Sequence, residues 1–226
     1  MAVSLTIIKK ISKAKAKLAK KFFLAIIACG TLTTSFITSA NTNQKSTPSS
    51  FNTCVACHGP NGEGNSTLNA PAIAGQSESY LLRQLTHFKK GIRGAHQGDI
   101  HGATMRASIQ TLNLDNDIPM LAGYIAKLPA PELSQELTGD LKNGSRYYQA
   151  KCGACHGGQA QGNEAFKAPR LSGQSTEYLQ RQMQNFVKGI RGSHSEDKLG
   201  RQMAMMAKTV TEAELKDIIY FISLQK

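Results

Sequence analysis

Residues 54–59 read CVACHG, and residues 152–157 read CGACHG. The two stretches stand 98 positions apart, and the same offset brings their surroundings into register. Residues 75–96, GQSESYLLRQLTHFKKGIRGAH, fall without a gap on residues 173–194, GQSTEYLQRQMQNFVKGIRGSH. Pro71 falls on Pro169, Asp99 on Asp197 and Gly102 on Gly200. Beyond Leu112 and Val210 one residue must be dropped to lay AGYIAKL over IYFISLQ. Self-similarity at a fixed offset marks a duplicated unit, here of roughly 80–90 residues. The seam, LPAPELSQELTGD at 128–140, carries Pro129, Pro131 and Gly139 and reads as a linker. The expected organisation is one domain at 51–128, a linker at 129–138 and a second domain at 139–226.

Periodicity gives the fold class. Leu81, Leu85 and Phe88, with Tyr80 and Gln84, recur at three- and four-residue spacing, as do Leu179, Met183 and Phe186 with Tyr178 and Gln182. Each copy therefore has an amphipathic helix, stopped by Gly91 or Gly189. DNDIPMLAGYIAKL and TEAELKDIIYFISLQ predict a terminal helix in each copy, with Thr211 as an N-cap. GDLKNGSRYYQAK before the second CxxCH has room for a helix of two to three turns, whereas STPSSFNT before the first predicts a shorter one. Segments 59–75 and 157–173 are rich in Gly, Asn and Pro and read as loops, and no run of strand alternation occurs. The expectation is an all-α protein of two tandem domains.

A domain of this size, with few aromatics and no tryptophan, lies near the lower limit for a self-sufficient core. The CxxCH motif supplies a reason. On a helical turn Cys54, Cys57 and His58 stand at i, i+3 and i+4 and face the same way. Two thiols can then add to the vinyl groups of a porphyrin while the adjacent imidazole reaches its iron, which is the logic of c-type haem attachment. Cys152, Cys155 and His156 repeat the arrangement. A thioredoxin-like redox pair would require a strand–helix context. A zinc site would require ligand pairs brought together from different segments. Two disulfides remain the plainest alternative for an exported chain.

With His58 and His156 as one axial ligand of each of two haem irons, the second should follow a loop long enough to wrap the porphyrin. Met105, Met120, His87, His96 and His101 are the choices in the first copy. Met120, His87 and His101 have no like residue at the matching position of the second copy. Met105 falls on Met203, and His96 on His194. The methionine pair is the expected ligand set, with the histidine pair as the alternative. Met205 and Met206, falling on Ala107 and Ser108, are expected to fill apolar space or pack at the haem edge. Arg93 and Arg191 could pair with haem propionates or be solvated charges. Tyr80, Gln84, Tyr178 and Gln182 read as core and domain-interface residues. A backbone carbonyl near Pro71 or Pro169 could accept the ring N–H of the axial histidine.

The formal charge of +12 invites a nucleic-acid reading that position removes. Seven of the 27 basic residues lie between Lys9 and Lys21, directly before the uncharged FFLAIIACGTLTTSFITSA at 22–40. That is a secretory signal at 1–40, followed by a disordered polar start at 41–50. Without residues 1–40 the balance is 20 basic against 15 acidic, a net of +5. No nucleic-acid partner is expected. Membrane attachment through lipid on Cys29, or through an uncleaved apolar segment, is the alternative to cleavage.

Two CxxCH units, each followed by the Pro…GQ…Y…Q…F…GIRG block, a methionine and a terminal helix, resemble the dihaem cytochrome c4 family of bacterial periplasms. The resemblance covers roughly residues 51–226, and the short leader of the first copy departs from it. It implies two class I cytochrome c domains related by a pseudo-twofold axis, each around a covalent haem c with His/Met ligation. The ligands would be His58 with Met105 and His156 with Met203, and the covalent links Cys54, Cys57, Cys152 and Cys155. It further implies a periplasmic electron carrier, not an enzyme, between quinol–cytochrome c reductase and a terminal haem-copper oxidase, often of the cbb type. The alternatives are a dihaem peroxidase or small-molecule dehydrogenase with one open haem, or the cytochrome subunit of such an enzyme.

Overall fold

The computed structural model describes residues 47–133 and 137–226, which lie within one compact unit. The expected signal at 1–40, Cys29 and most of the polar start lie outside the described residues, as do three linker residues at 134–136. Among the described residues the regular elements are helical, with isolated bridges only between Asn65 and Ala70 and between Asn163 and Ala168. The first domain contains α1 (Phe51–His58), α2 (Glu78–Lys89), α3 (Ile100–Ser108) and α4 (Asp117–Ile125). The second contains α5 (Leu141–Tyr148), a π turn at Gln149–Gly153, α6 (Ala154–His156), α7 (Thr176–Val187), α8 (Lys198–Ala207) and α9 (Glu212–Ser223). The helical run before His156 is thus twice the length of α1, as the two leader segments predict.

Local chemistry sets the ends of these helices. Ser77 and Ser175 cap α2 and α7 by accepting the backbone N–H of Tyr80 and Tyr178. Thr211 and Glu214 form a reciprocal capping box at α9. Helices α3 and α8 are not announced by apolar periodicity, since α3 buries only Gly102. They begin instead at buried Asp99 and Asp197, whose carboxylates accept the N–H of Gly102 and Gly200 at 3.0 and 2.8 Å. A Cβ on either glycine would stand 2.0 Å from that carboxylate, which explains why the Asp and Gly recur together.

Each domain buries its own small core. In the first, Phe51 packs edge-on to Tyr124 and joins Leu81, Leu85, Phe88, Ile118, Leu121 and Ile125. In the second, Tyr148 stacks at a tilt on Phe221 beside Leu179, Ile218, Ile219 and Ile222. Each fully buried large side chain contributes about 1.5–3 kcal/mol. Tyr148 also donates its hydroxyl to the Gly157 carbonyl at 2.7 Å, tying the leader helix to the loop after CxxCH.

Polar side chains exchanged in pairs join the two domains. Gln174 accepts the N–H of Ala72 at 3.1 Å and donates to the Ala72 carbonyl. Gln76 makes the same pair of bonds to Arg170, at 3.1 and 2.9 Å. Arg83 donates to the Lys167 carbonyl, and Arg181 to both the carbonyl and the side chain of Asn69. Arg93 reaches Gln84 in its own domain and Tyr178 and Gln182 in the other, while Arg191 reaches Gln182, Tyr80 and Gln84. All of these bonds except that from Arg181 to the Asn69 side chain have a counterpart displaced by 98 residues, the signature of a pseudo-twofold axis.

Helices α5 and α9 cross closely enough that a Cβ on Gly144 would lie 2.1 Å from the Asp217 carbonyl. Gly144→Ala should therefore destabilise the haem-loaded protein by about 1–3 kcal/mol, read as a lowered denaturation midpoint. An unchanged midpoint would mean that the crossing is wider than described.

Candidate haem-binding site

Helix α1 delivers Cys54, Cys57 and His58 to one place because of their spacing, and the turn before His156 does the same for Cys152, Cys155 and His156. Neither Cys54 and Cys57 nor Cys152 and Cys155 are joined by a disulfide, so the disulfide alternative does not describe this fold. Cys57 and Cys155 are exposed, whereas Cys54 and Cys152 are half-buried. Burial pushes the Cys54 thiol up and the Cys152 thiol up to about 11. No strand precedes either pair among the described residues, which removes the thioredoxin-like context.

Each histidine is held by the loop that follows it. His58 Nδ1 lies 2.8 Å from the Pro71 carbonyl oxygen, and His156 Nδ1 lies 2.9 Å from that of Pro169. A carbonyl only accepts, so Nδ1 carries the proton and Nε2 keeps its lone pair. Burial depresses both imidazole pKa values, opposed in part by the carbonyl, which favours the neutral ring that a metal requires.

One cavity of about 620 Å³ runs through both domains. Its lining includes the four cysteines, His58, His156, Met105 and Met203. Leu81, Leu85 and Phe88 of α2, and Leu179, Met183 and Phe186 of α7, give it apolar walls. The structure therefore brings every expected covalent and axial residue to the same cavity. His101 also lines it, at an exposed position matched by Leu199 in the second domain.

The other competing ligand residues stand elsewhere. His96 and His194 are exposed, accept backbone N–H bonds from Gly98 and Glu196 at Nδ1, and are not among the cavity residues. Met120 is exposed and outside the lining. His87 is buried against the second domain, its Nδ1 3.8 Å from Asp197, too long for a hydrogen bond. Met205 is 64% exposed and so fills no core, in contrast to the apolar filling expected of it, while Met206 stands at the cavity margin.

The polar side of the cavity tests the fit of a haem. Arg83, Arg93, Arg170 and Arg181 line it, and each has a buried Nε–H with no partner; Arg83 Nη1 is likewise unpaired. Buried donors require acceptors, and carboxylates are the acceptors that guanidinium groups match best. Two haems would bring four propionates, so apolar walls, paired thiols, available Nε2 atoms and unpaired arginine donors all suit them. Arg93 and Arg191 are not the solvated charges weighed above, since both are engaged at the interface. The roles of Gln76, Gln174, Arg83 and Arg181 are not derivable from periodicity. Their one signal is that both copies retain them in register.

The cytochrome c family model matches residues 48–129 and again residues 141–225. Cytochrome c4 of Azotobacter vinelandii is 30% identical over 160 residues, spanning 67% of this chain and 75% of that protein. The thiosulfate dehydrogenase electron acceptor of Thiomonas intermedia (strain K12) is 32% identical over 187 residues, spanning 76% of this chain and 78% of that protein. The solved structure of Acidithiobacillus ferrooxidans cytochrome c4 superposes with a TM-score of 0.62 at 29% identity, covering 76% of this chain and 98% of that one. Domains of this kind bind haem c covalently, and the two cysteine pairs provide for two such groups. With both halves matched and the site assembled, the chain belongs to the cytochrome c family, as a dihaem electron carrier of the cytochrome c4 type.

Proposed function

We propose that this carrier is periplasmic and passes electrons from quinol–cytochrome c reductase to a terminal haem-copper oxidase of the cbb type. Its covalent links are Cys54 and Cys57, and Cys152 and Cys155. Its axial pairs are His58 with Met105 and His156 with Met203. The observation that carries the ligand assignment is the fixed tautomer: each ring spends Nδ1 on a proline carbonyl and retains Nε2. Met105 and Met203 stand in the same cavity, at matching places on α3 and α8.

Haem iron supplies one-electron chemistry when bound. The residues around it have simpler tasks. The thiols would anchor it, the loop carbonyls orient the imidazoles, and the thioethers of Met105 and Met203 would serve as second ligands that raise the potential. A site closed on both faces leaves no place for a substrate, which supports a carrier over a peroxidase or dehydrogenase. Export through residues 1–40 supports the periplasm. No helix among the described residues is long and apolar enough to cross a membrane.

A second reading rests on the Thiomonas relative, whose name makes it the electron acceptor of a thiosulfate dehydrogenase. On that reading the same closed sites accept electrons from a dehydrogenase. The relative supports this as an alternative donor without altering the site.

The ferric protein should show two equivalents of the far-red methionine–iron charge-transfer band. Met203→Ala and Met105→Ala should each remove one equivalent, leaving the covalent haem content unchanged. A band that survives Met105→Ala but is lost with His101→Ala, or fewer than two equivalents in the parent protein, would overturn the assignment. Thiosulfate alone should leave both haems ferric. Rapid reduction by thiosulfate with a catalytic amount of thiosulfate dehydrogenase, and not by quinol–cytochrome c reductase with quinol, would establish the second reading.

A further inference from the structure

The proline that holds each axial histidine belongs to a peptide unit whose other end is held by the opposite domain. His58 Nδ1–H donates to the carbonyl of Pro71, and the N–H of that same amide, on Ala72, donates to Gln174 of the second domain. In mirror image, His156 Nδ1–H donates to the Pro169 carbonyl, and the adjoining N–H on Arg170 donates to Gln76 of the first domain. Each glutamine closes the arrangement by returning its amide N–H to the carbonyl of Ala72 or Arg170. Gln76 is 5% exposed and Gln174 8%, so neither bond is exchanged for water at low cost.

We infer that Gln174 and Gln76 are positioning residues for the axial histidine of the opposite domain. An amide whose N–H is donated carries more negative charge on its oxygen, because hydrogen bonds in series polarise one another. A stronger acceptor at Pro71 or Pro169 draws the Nδ1 proton and makes Nε2 a better electron donor. A more basic imidazole favours ferric over ferrous iron. Each domain therefore lowers the potential of its neighbour's haem through four atoms of backbone. This rests on the axial assignment of His58 and His156 made above.

The test uses the haem-loaded protein labelled with ¹⁵N-histidine. Haem signals are assigned to their domains by proximity to the Met105 and Met203 methyl groups, and each potential is followed by NMR during redox titration. Gln174→Leu should raise the potential of the haem at Cys54 and Cys57 and move the His58 Nδ1–H resonance upfield. The other haem and His156 should stay in place. Gln76→Leu should do the reverse. Shifts confined to the domain that carries the substitution, equal shifts in both, or none would overturn the inference, since a merely loosened interface has no cross-domain sign. Should either variant fail to fold, the parent protein still decides, because the Ala72 and Arg170 amides must exchange slowly with deuterium. Rapid exchange there would overturn the inference as well. Absence of hyperfine-shifted histidine Nδ1–H signals in the ferric protein would instead refute the axial assignment on which it rests.

Discussion

An imidazole can offer a metal only the nitrogen that does not hold its proton. The bonds from His58 to Pro71 and from His156 to Pro169 settle which nitrogen that is, and much of each domain serves to make them. The CxxCH turn sets where the ring begins, and the loop of 13 residues must return its carbonyl to the same point. Bonds from Gly64 to the His58 carbonyl and from Ile73 to the Gly62 carbonyl fold that loop back on the helix end, with equivalents at Gly162 and Leu171. Helices α2 and α7 follow directly and line the cavity with Leu81, Leu85, Phe88, Leu179 and Phe186. Attachment, ligand orientation and the apolar wall are thus consequences of one local return of the chain.

The same return creates the interface. Once Pro71 and Pro169 face inward toward their histidines, the next residues turn their backbone groups toward the other domain. A buried amide left without partners costs about 1–3 kcal/mol, and the exchanged glutamines remove that cost on both sides at once. The arginines extend the pattern. Most of their forked ends are satisfied by Tyr, Gln and backbone oxygens across the axis, while several buried Nε–H groups of arginines that line the cavity have no partner in the protein. Interface and haem sites are therefore parts of one polar network, and neither domain completes its own.

Much of this was legible in the sequence. Two CxxCH motifs in register pointed to the proposed attachment residues, and the 98-residue offset singled out Met105 and Met203, which stand in the same cavity, from a chain with other methionines and histidines. Apolar spacing gave α2, α7 and the terminal helices, because a helix that buries one face must repeat. It did not give α3 and α8, which bury little and start from a carboxylate fitted against a glycine. Nor could it place Arg93 and Arg191 at the interface, because periodicity reports on one element against its own core. Bonds such as Gln174 to Ala72 join positions 102 apart and have no local pattern. What the sequence did carry was their recurrence, which says that a residue is needed twice without saying by whom. Met205 shows the converse, since an apolar residue at helical spacing turned out to face solvent.

The duplication also makes the departures from symmetry informative. His87, buried opposite Asp197, has Asn185 at its matching place, so one side of the interface holds a titratable ring where the other holds an amide. Ser108, which donates to the Met105 carbonyl, has Met206 at its matching place in the second domain, and both line the cavity. The first CxxCH lies on a regular helix, whereas the second begins within the π turn at Gln149–Gly153. Burial, nearby charge and hydrogen bonds to the ligands are the means by which a protein sets a haem potential. Each of these three differences touches one of those means in one domain alone. Two haems held by the same motif therefore occupy unlike surroundings, and with the proposed axial residues alike in both domains a difference in potential between them would require no difference in ligands.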